Sequence, residues 1–225
     1  MQRGYTHFEQ TFFENNAKRS RTVRGSGMTD VSPLKLPLLV SGEERSRQLD
    51  LNFDRVIKST WRSAHEVIGI STLRLLFRDW IESLSEGLVD LKGYTKLRKE
   101  HGLTSPNPYY RLWEISYHKN NPKPTEIEVR LNLFMQALCA RIESPQSLRV
   151  PETLADVLSF ADREIDLIIH PWLDGCGRFA TTLLMWIALR SGTGLLPHFR
   201  AREDHYEAME KSAEAHSAYL RLCLR

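Results

Sequence analysis

Apolar residues recur at helical spacing along most of the chain after Glu43. Residues three and four positions apart lie on the same face of a helix, so such runs predict helices with one buried face. The first run has the apolar positions Leu49, Phe53, Val56, Ile57 and Trp61. A second run predicts a helix over 71–84 that Gly87 ends; its apolar positions are Leu73, Leu76, Phe77, Trp80, Ile81 and Leu84.

The same reasoning predicts five further helices. They are expected over 92–100, after Pro124 through Ile142, from Pro151 through Ile169, over 178–190, and over 202–222. Residues 110–117 differ, because strand-forming residues alternate there and turn residues follow as far as Pro124. The sequence therefore predicts a mainly α fold, a helical bundle with a small β-hairpin flap over 110–124.

Residues 1–42 lack this periodicity and are predicted to be a flexible, basic N-terminal arm before a domain over 43–225. The basic cluster is Lys18-Arg19-Ser20-Arg21-Thr22-Val23-Arg24, with Pro33 and Pro37 beyond it. Two sharper interpretations stay open, a secretion or targeting arm and a contact with an anionic surface. Met28 is also a candidate start, which would make 1–27 an extension.

Composition narrows the class of protein. The chain has 225 residues, of which 41% are hydrophobic and 26% charged, with a net charge of +3. That charge is too small to imply nucleic-acid binding. Three cysteines are few and odd in number, which favours a reducing compartment over a disulfide framework. With no apolar run of membrane-spanning length and no apolar centre of a signal peptide, we expect a cytoplasmic protein without a membrane span.

The chemistry is concentrated in residues 170–178, which we call the polar segment and which read His-Pro-Trp-Leu-Asp-Gly-Cys-Gly-Arg. It lies between two apolar predicted helices. Gly175 and Gly177 allow the backbone to turn several N–H groups toward one point, next to a helix N-terminus that favours an anion. Arg178 adds a forked, permanently charged donor suited to phosphate.

Two other side chains extend this interpretation. Asp174 offers the oxygen ligand that Mg²⁺ prefers, and His170 titrates near neutral pH and can accept a proton from an attacking hydroxyl. The polar segment thus has the components of a phosphate site with a metal ligand and a base. A simple turn at Gly-x-Gly and a packed or capping histidine remain alternatives.

The polar segment resembles the signature of the Fic (Fido) family, His-Pro-Phe-x-Asp/Glu-Gly-Asn-Gly-Arg-x-x-Arg. The chain matches it at His170, Pro171, Asp174, Gly175, Gly177 and Arg178, and conservatively at Trp172. It departs at Cys176, where the family has Asn, and at Thr181, where it has a second Arg. A weaker resemblance covers Arg202-Glu-Asp-His-Tyr206-Glu-Ala-Met209, in which Tyr206 would lie near a nucleotide base.

The resemblance implies a transferase that moves AMP, or a related phosphate-containing group, from ATP or another nucleotide donor to a Ser, Thr or Tyr hydroxyl of a target protein. His170 would be the base, Asp174 would hold Mg²⁺, and the backbone N–H groups of Gly175, Cys176, Gly177 and Arg178 would cradle the α-phosphate. The flap would align the target by strand addition. The family also includes members that use UTP or CDP-choline.

The two departures leave the activity open. A Cys176 thiol is a weak donor and a poor replacement for the Asn. Thr181 has no charge to grip a γ-phosphate or to pair with the family's inhibitory Glu, whose motif is incomplete in the nearest stretch, 82–87. One explanation is a donor without a γ-phosphate. The alternative function is a catalytically impaired nucleotide- or protein-binding module, while a nucleic-acid binder has only 18–24 in its favour. The oligomeric state stays open.

Overall fold

A computed structural model of the chain describes residues 38–66, 68–113, 121–144, 146–199 and 202–225. In this part of the chain the fold is mainly α, which confirms the predicted class. The eight α-helices of these residues are α1 Gly42–Ser63, α2 Ile70–Ser85, α3 Leu91–Glu100, α4 Ile127–Ile142, α5 Pro151–Asp162, α6 Cys176–Arg190, α7 Arg202–Lys211 and α8 Ala213–Cys223. A π-helical segment, Arg163–Ile169, continues α5 without a break and is called the π segment below.

The predicted apolar faces are the faces that the helices bury. α1 turns Leu49, Phe53, Val56 and Ile57 into the core, and Trp61 packs against its edge. α2, α4 and α5 follow the same rule, since a face of apolar residues gains most by leaving water. Their buried apolar residues include Leu73, Phe77, Trp80, Ile81, Leu84, Ile127, Leu131, Phe134, Leu138, Ile142, Leu154 and Leu158.

Helix α6 is the centre of the fold. It packs against α1, α2, α5 and the π segment, and every residue from Phe179 to Ala188 is buried. The Phe179 ring lies 4.9 Å from Phe77, 5.9 Å from Trp80 and 5.0 Å from Trp172, measured between ring centroids. Phe179 thus joins the polar segment, through Trp172, to the aromatic core.

Even α6, the most deeply buried helix described, has only 15 residues. No helix among the residues that the structure describes combines the length and the apolar character needed to cross a membrane.

Two helix boundaries differ from the prediction. The helix expected over 202–222 is two helices, because Ser212 is extended and its Oγ accepts a hydrogen bond from Ala215 N at 3.0 Å, which starts α8. The helix expected from 178 begins at Cys176, because Gly175 has a φ of 84° and serves as the N-cap. The polar segment therefore contains the first turn of α6.

The predicted flap and arm lie partly outside the described residues. Of the flap, 114–120 are not described, and a hairpin stays a prediction. The described part, near Tyr110, forms an isolated antiparallel bridge with Trp172 of the polar segment. Of the arm, 1–37 are not described, whereas Leu38 bridges to Val89 and so contacts the domain.

We expect Phe179→Ala to lower the free energy of unfolding by about 3–5 kcal/mol, the range for truncating a large buried aromatic side chain. Leu75→Ala is the matched control, because the Leu75 side chain is 62% exposed and its loss should cost about 0.5 kcal/mol or less. Urea unfolding followed by circular dichroism measures both. Equal costs for the two variants would contradict the central role of Phe179.

Candidate functional site

Two residues of the polar segment, His170 and Gly175, have left-handed backbone. The π segment ends at His170, whose φ is 43°, and Gly175 has a φ of 84°. Gly175 adopts this conformation freely, whereas a residue with a Cβ pays roughly 1–2 kcal/mol for it. Among the described residues other than glycine, His170 is the one with positive φ. Backbone strain of this kind persists where surrounding contacts enforce it, which is common at functional sites.

Side chains satisfy five consecutive carbonyls at the end of the π segment. His170 Nδ1 donates to Asp166 O at 2.8 Å, and Asn121 Nδ2 donates to Leu167 O at 2.8 Å and Ile168 O at 2.6 Å. Arg111 donates to Ile169 O at 3.4 Å and, through Nε, to His170 O at 2.7 Å. The last carbonyls of a helix have no partners within it, so these three side chains hold its end in place.

Arg111 is the deepest of these donors. Its guanidinium is fully buried and also donates to Trp113 O at 2.6 Å and to Pro122 O. A charge without water is tolerated only when its hydrogen-bonding capacity is used, and here carbonyls from three stretches of chain accept its hydrogen bonds. Arg111 therefore ties the residues on both sides of 114–120 to the start of the polar segment.

The backbone beside Arg111 pairs with the polar segment directly. Arg111 N donates to Pro171 O at 2.9 Å, and Leu173 N donates to Tyr109 O at 2.8 Å. The Tyr110 and Trp172 rings stack with centroids 5.5 Å apart. Residues 109–111 thus pair with the polar segment through one isolated antiparallel bridge, at the start of the stretch predicted as a flap.

His170 has the protonation pattern of a base. Since its Nδ1 must donate to the carbonyl of Asp166, Nε2 carries the lone pair of the neutral ring. Burial of the ring lowers the pKa of His170 below its ordinary value, and the nearby Asp166 charge offsets this only in part. The ring is therefore neutral near pH 7 and able to accept a proton at Nε2.

Asp166 and Tyr206 lie on the same side of the polar segment as His170. Tyr206 donates its hydroxyl proton to Asp166 Oδ2 at 2.8 Å, and both side chains approach the Cα of Gly177 so closely that an added Cβ would meet them at 3.4–3.6 Å. Tyr206 thus reaches the polar segment from α7, and its place near a nucleotide base stays a prediction. Asp166 was not singled out from the sequence, although its position four residues before His170 is a usable signal.

Asp174 is held by two arginines. Its Oδ2 accepts hydrogen bonds from Arg45 of α1 at 2.8 Å and from Arg178 at 3.2 Å. Burial alone would raise the pKa of the Asp174 carboxyl, but the charges of Arg178 and Arg45 outweigh it and lower that pKa. The predicted metal ligand is therefore an ionised carboxylate whose Oδ2 has two guanidinium partners. The sequence gives no signal for the contact of Arg45 with Asp174, since no local pattern links two residues so distant along the chain.

The side chains of Cys176 and Thr181 both lie against backbone carbonyl groups of the chain itself. The Cys176 Sγ lies 3.8 Å from Trp172 O, and burial raises the pKa of the thiol well above its ordinary value. Of Cys176, only the backbone N–H remains for the predicted phosphate cradle. The Thr181 hydroxyl donates to Gly177 O at 2.8 Å inside the core. Neither side chain adds charge or a strong donor to the site.

Gly175 permits the close approach of the arginine that borders the site. A Cβ on Gly175 would lie 2.9 Å from Arg178 Nη2, nearer than such atoms come, and its left-handed backbone would add strain. A side chain at position 175 would therefore displace the end of the Arg178 side chain from the start of α6.

Residues 82–87, the stretch nearest to the family's inhibitory motif, contact α1 through Glu86. Glu86 pairs with Arg55 of α1, not with the polar segment. Beside it, a cavity of about 480 Å³ is lined by carboxylates, among them Asp79 and Glu82, together with Tyr109. Three carboxylates around one cavity would repel a phosphate, so we do not assign the donor to it.

Comparisons with known proteins leave the family undecided. No family model matches the chain, and no similar protein is found among the curated proteins.

We expect Arg111→Met to lower the free energy of unfolding by about 3 kcal/mol or more, because each buried carbonyl left without a donor costs about 1–3 kcal/mol. It should also speed hydrogen exchange at Leu173 N, which bonds to Tyr109 O. Arg62→Met, at an exposed position of α1, is the control and should change little. An Arg111 variant as stable and as protected as this control would contradict the anchoring role.

Proposed function

We propose that the chain is a Fic-type transferase, which moves a nucleotidyl group, AMP or a related phosphate-containing group, from a nucleotide donor to a Ser, Thr or Tyr hydroxyl of a target protein. One observation carries this proposal. The ring of His170, whose Nδ1 donates to Asp166 O at 2.8 Å and whose pKa is lowered by burial, lies at the start of the polar segment. It borders the N-terminus of α6, whose dipole and unpaired N–H groups favour an anion.

The transfer follows from these groups. The target hydroxyl gives its proton to His170 Nε2 while its oxygen bonds to the α-phosphorus of the donor. The bond from that phosphorus to the bridging oxygen breaks, and the rest of the donor leaves with the electron pair. The N–H groups of Cys176, Gly177 and Arg178 stabilise the charge on the reacting phosphate without reorganising. Arg178 adds a guanidinium at the same helix start.

Asp174 is the residue that would hold Mg²⁺. It is ionised and only partly buried, which suits an ion that keeps several waters and is shared with phosphates. Bound Mg²⁺ would neutralise charge on the donor phosphates. Arg45 and Arg178 share Asp174 Oδ2, so the carboxylate must exchange at least one guanidinium for the ion.

Residues 109–111, which pair with the polar segment, support a protein as acceptor. They already pair with the polar segment through backbone hydrogen bonds, and an extended target peptide is recognised by the same kind of pairing. We propose the cytoplasm as the place of action, either of the producing cell or of a cell into which the protein is delivered. The three cysteines, all free thiols, fit a reducing compartment.

A catalytically impaired nucleotide- or protein-binding module is the second candidate. Two observations favour it. The Asp174 carboxylate is already neutralised by Arg45 and Arg178, and the Cys176 side chain offers nothing to a phosphate. A site of this kind can still hold an anion at the start of α6 without turning it over.

Transfer is tested with Mg²⁺ and labelled ATP, UTP, GTP or CDP-choline, with a desalted cell extract as the source of targets. We expect label on protein with at least one donor, and a loss of about 100-fold or more in His170→Ala, the scale of losing a general base. Mass spectrometry of the labelled target gives the added group. Measurable nucleotide affinity without label from any donor would refute transfer and favour the binding module.

The same assay separates the two candidates at Arg45. Arg45→Ala removes one of the two guanidinium partners of Asp174, so label should increase at limiting Mg²⁺ if the carboxylate holds the ion. Arg47→Ala is the matched control, because Arg47 is exposed on the same helix. An equal rate in both variants would contradict the role given to Asp174.

The pH dependence should reveal the buried state of His170. Because its native pKa is lowered, the acid limb of the activity profile should lie below the ordinary value of about 6.5. For stability, the contribution of His170 is complete above the unfolded value and is lost as the pH falls through the native pKa, since the unfolded chain then binds more protons. Urea unfolding at several pH values, compared with His170→Asn, measures this. An acid limb at or above 6.5 would contradict the assignment.

A further inference from the structure

A second cluster of titratable side chains lies where α5, α7 and α8 meet. Asp162, the last residue of α5, is fully buried with His205 of α7 and His216 of α8, at 0%, 3% and 0% exposure. Asp162 Oδ2 lies 3.0 Å from His205 Nε2 and 3.4 Å from His216 Nε2. Potential ligand atoms of all three residues lie within 4.8 Å of one another.

Hydrogen bonds do not account for this cluster. Neither carboxylate oxygen of Asp162, neither ring nitrogen of His205, nor Nε2 of His216 has a hydrogen bond to any described residue. The separations from Oδ2 are short, but the geometry of an N–H···O bond is not met. Buried polar atoms almost always have a partner, and leaving five of them without one is costly. The arrangement therefore points to a partner that accepts lone pairs.

The tautomer of His216 leads to the same conclusion. Ser159 Oγ is 3.1 Å from Ala213 O and 3.2 Å from His216 Nδ1. A hydroxyl has one proton, and the carbonyl of Ala213 can only accept, so Nδ1–H of His216 must donate to Ser159. The Nε2 lone pair of the neutral ring then faces the Asp162 carboxylate. Two such atoms approach each other stably only with a metal ion or a proton between them.

We propose that Asp162, His205 and His216 form a buried binding site for a divalent transition metal ion of the Zn²⁺ type. Two imidazoles and a carboxylate are ligands that Zn²⁺ uses in proteins. Metal–ligand bonds of about 2.0–2.1 Å in a tetrahedron give ligand separations of about 3.3 Å, close to the two separations from Oδ2. Asp162 Oδ1, the other oxygen of the carboxylate, can supply a further donor, and Ser159 orients His216 as outer partners of metal ligands do.

Such an ion would join three helices next to the polar segment. His205 precedes Tyr206, which bonds to Asp166, and Asp162 lies one turn before Asp166 in the same continuous helix. The ion would thus hold α7 and α8 against the end of α5, and keep Tyr206 in place. Its role is structural, independent of whether transfer occurs, and distinct from any Mg²⁺ at Asp174.

The test uses the full chain, stripped with a chelator and titrated with Zn²⁺ and, as a spectroscopic probe, Co²⁺. We expect one ion per chain, visible Co²⁺ absorption typical of nitrogen and oxygen ligands in a tetrahedral site, and a thermal midpoint raised by about 5–10 °C at a hundredfold excess over Kd. Asp162→Asn and His205→Gln should abolish all three signals. His101→Gln, at an exposed histidine, should retain them.

Two results would overturn the proposal. The first is a wild-type chain whose midpoint and spectrum do not respond to either ion, in which case a proton on one imidazole balances the Asp162 carboxylate. The second is binding that Asp162→Asn and His205→Gln retain at the wild-type level, which would assign the ion to another site. The wild-type titration decides the matter even where a variant fails to fold.

Discussion

The buried guanidinium of Arg111 is the interaction on which the candidate site depends. It brings a full positive charge into the core and donates to four carbonyl oxygens of the described residues, two of them at the end of the π segment. A helix end with its carbonyls facing the core would otherwise be unfavourable, since those groups could bond neither to the helix nor to water. Arg111 and Asn121 supply the missing donors, and they do so from the stretch of chain that was predicted as a flap. The same two side chains therefore hold both the start of the polar segment and the stretch predicted as a flap.

Charge is divided between the two sides of the polar segment. On one side Asp166 receives the Tyr206 hydroxyl and lies beside the neutral ring of His170. On the other, Asp174 is balanced by Arg45 and Arg178, and the start of α6 lies between the two sides. The ring of His170 stays neutral because its burial, together with the charge of Arg111, outweighs the charge of Asp166, which favours protonation. An anion that bound at the start of α6 would compete with Asp174 for Arg45 and Arg178.

The sequence predicted those features whose causes are local. Apolar periodicity predicted the helices and their buried faces. The start of α6 was predicted at 178, two residues after its observed start at Cys176. The residues that shape the site came from elsewhere in the chain: Arg45 belongs to α1, and Arg111 lies beside the flap. The break at Ser212 was missed because the apolar spacing continues across it, while the local capping bond of Ser212 decides the matter. His216 is buried, and its spacing in the sequence carries no information about Asp162 across the fold.

The winding of the π segment explains why one short stretch serves two separate clusters. A π turn closes its hydrogen bonds one residue later than an α turn, so it costs stability and is kept mainly where position matters. Here it connects Asp162, which faces the histidines of α7 and α8, with Asp166 and His170, which face the polar segment. Any shift of the segment along its axis would move both clusters together. The left-handed backbone of His170 is then the point where this winding stops, held by Arg111 on its carbonyl and by Asp166 on its ring. The orientation of the His170 ring is therefore set by contacts with residues distant in the chain as much as by the residues beside it.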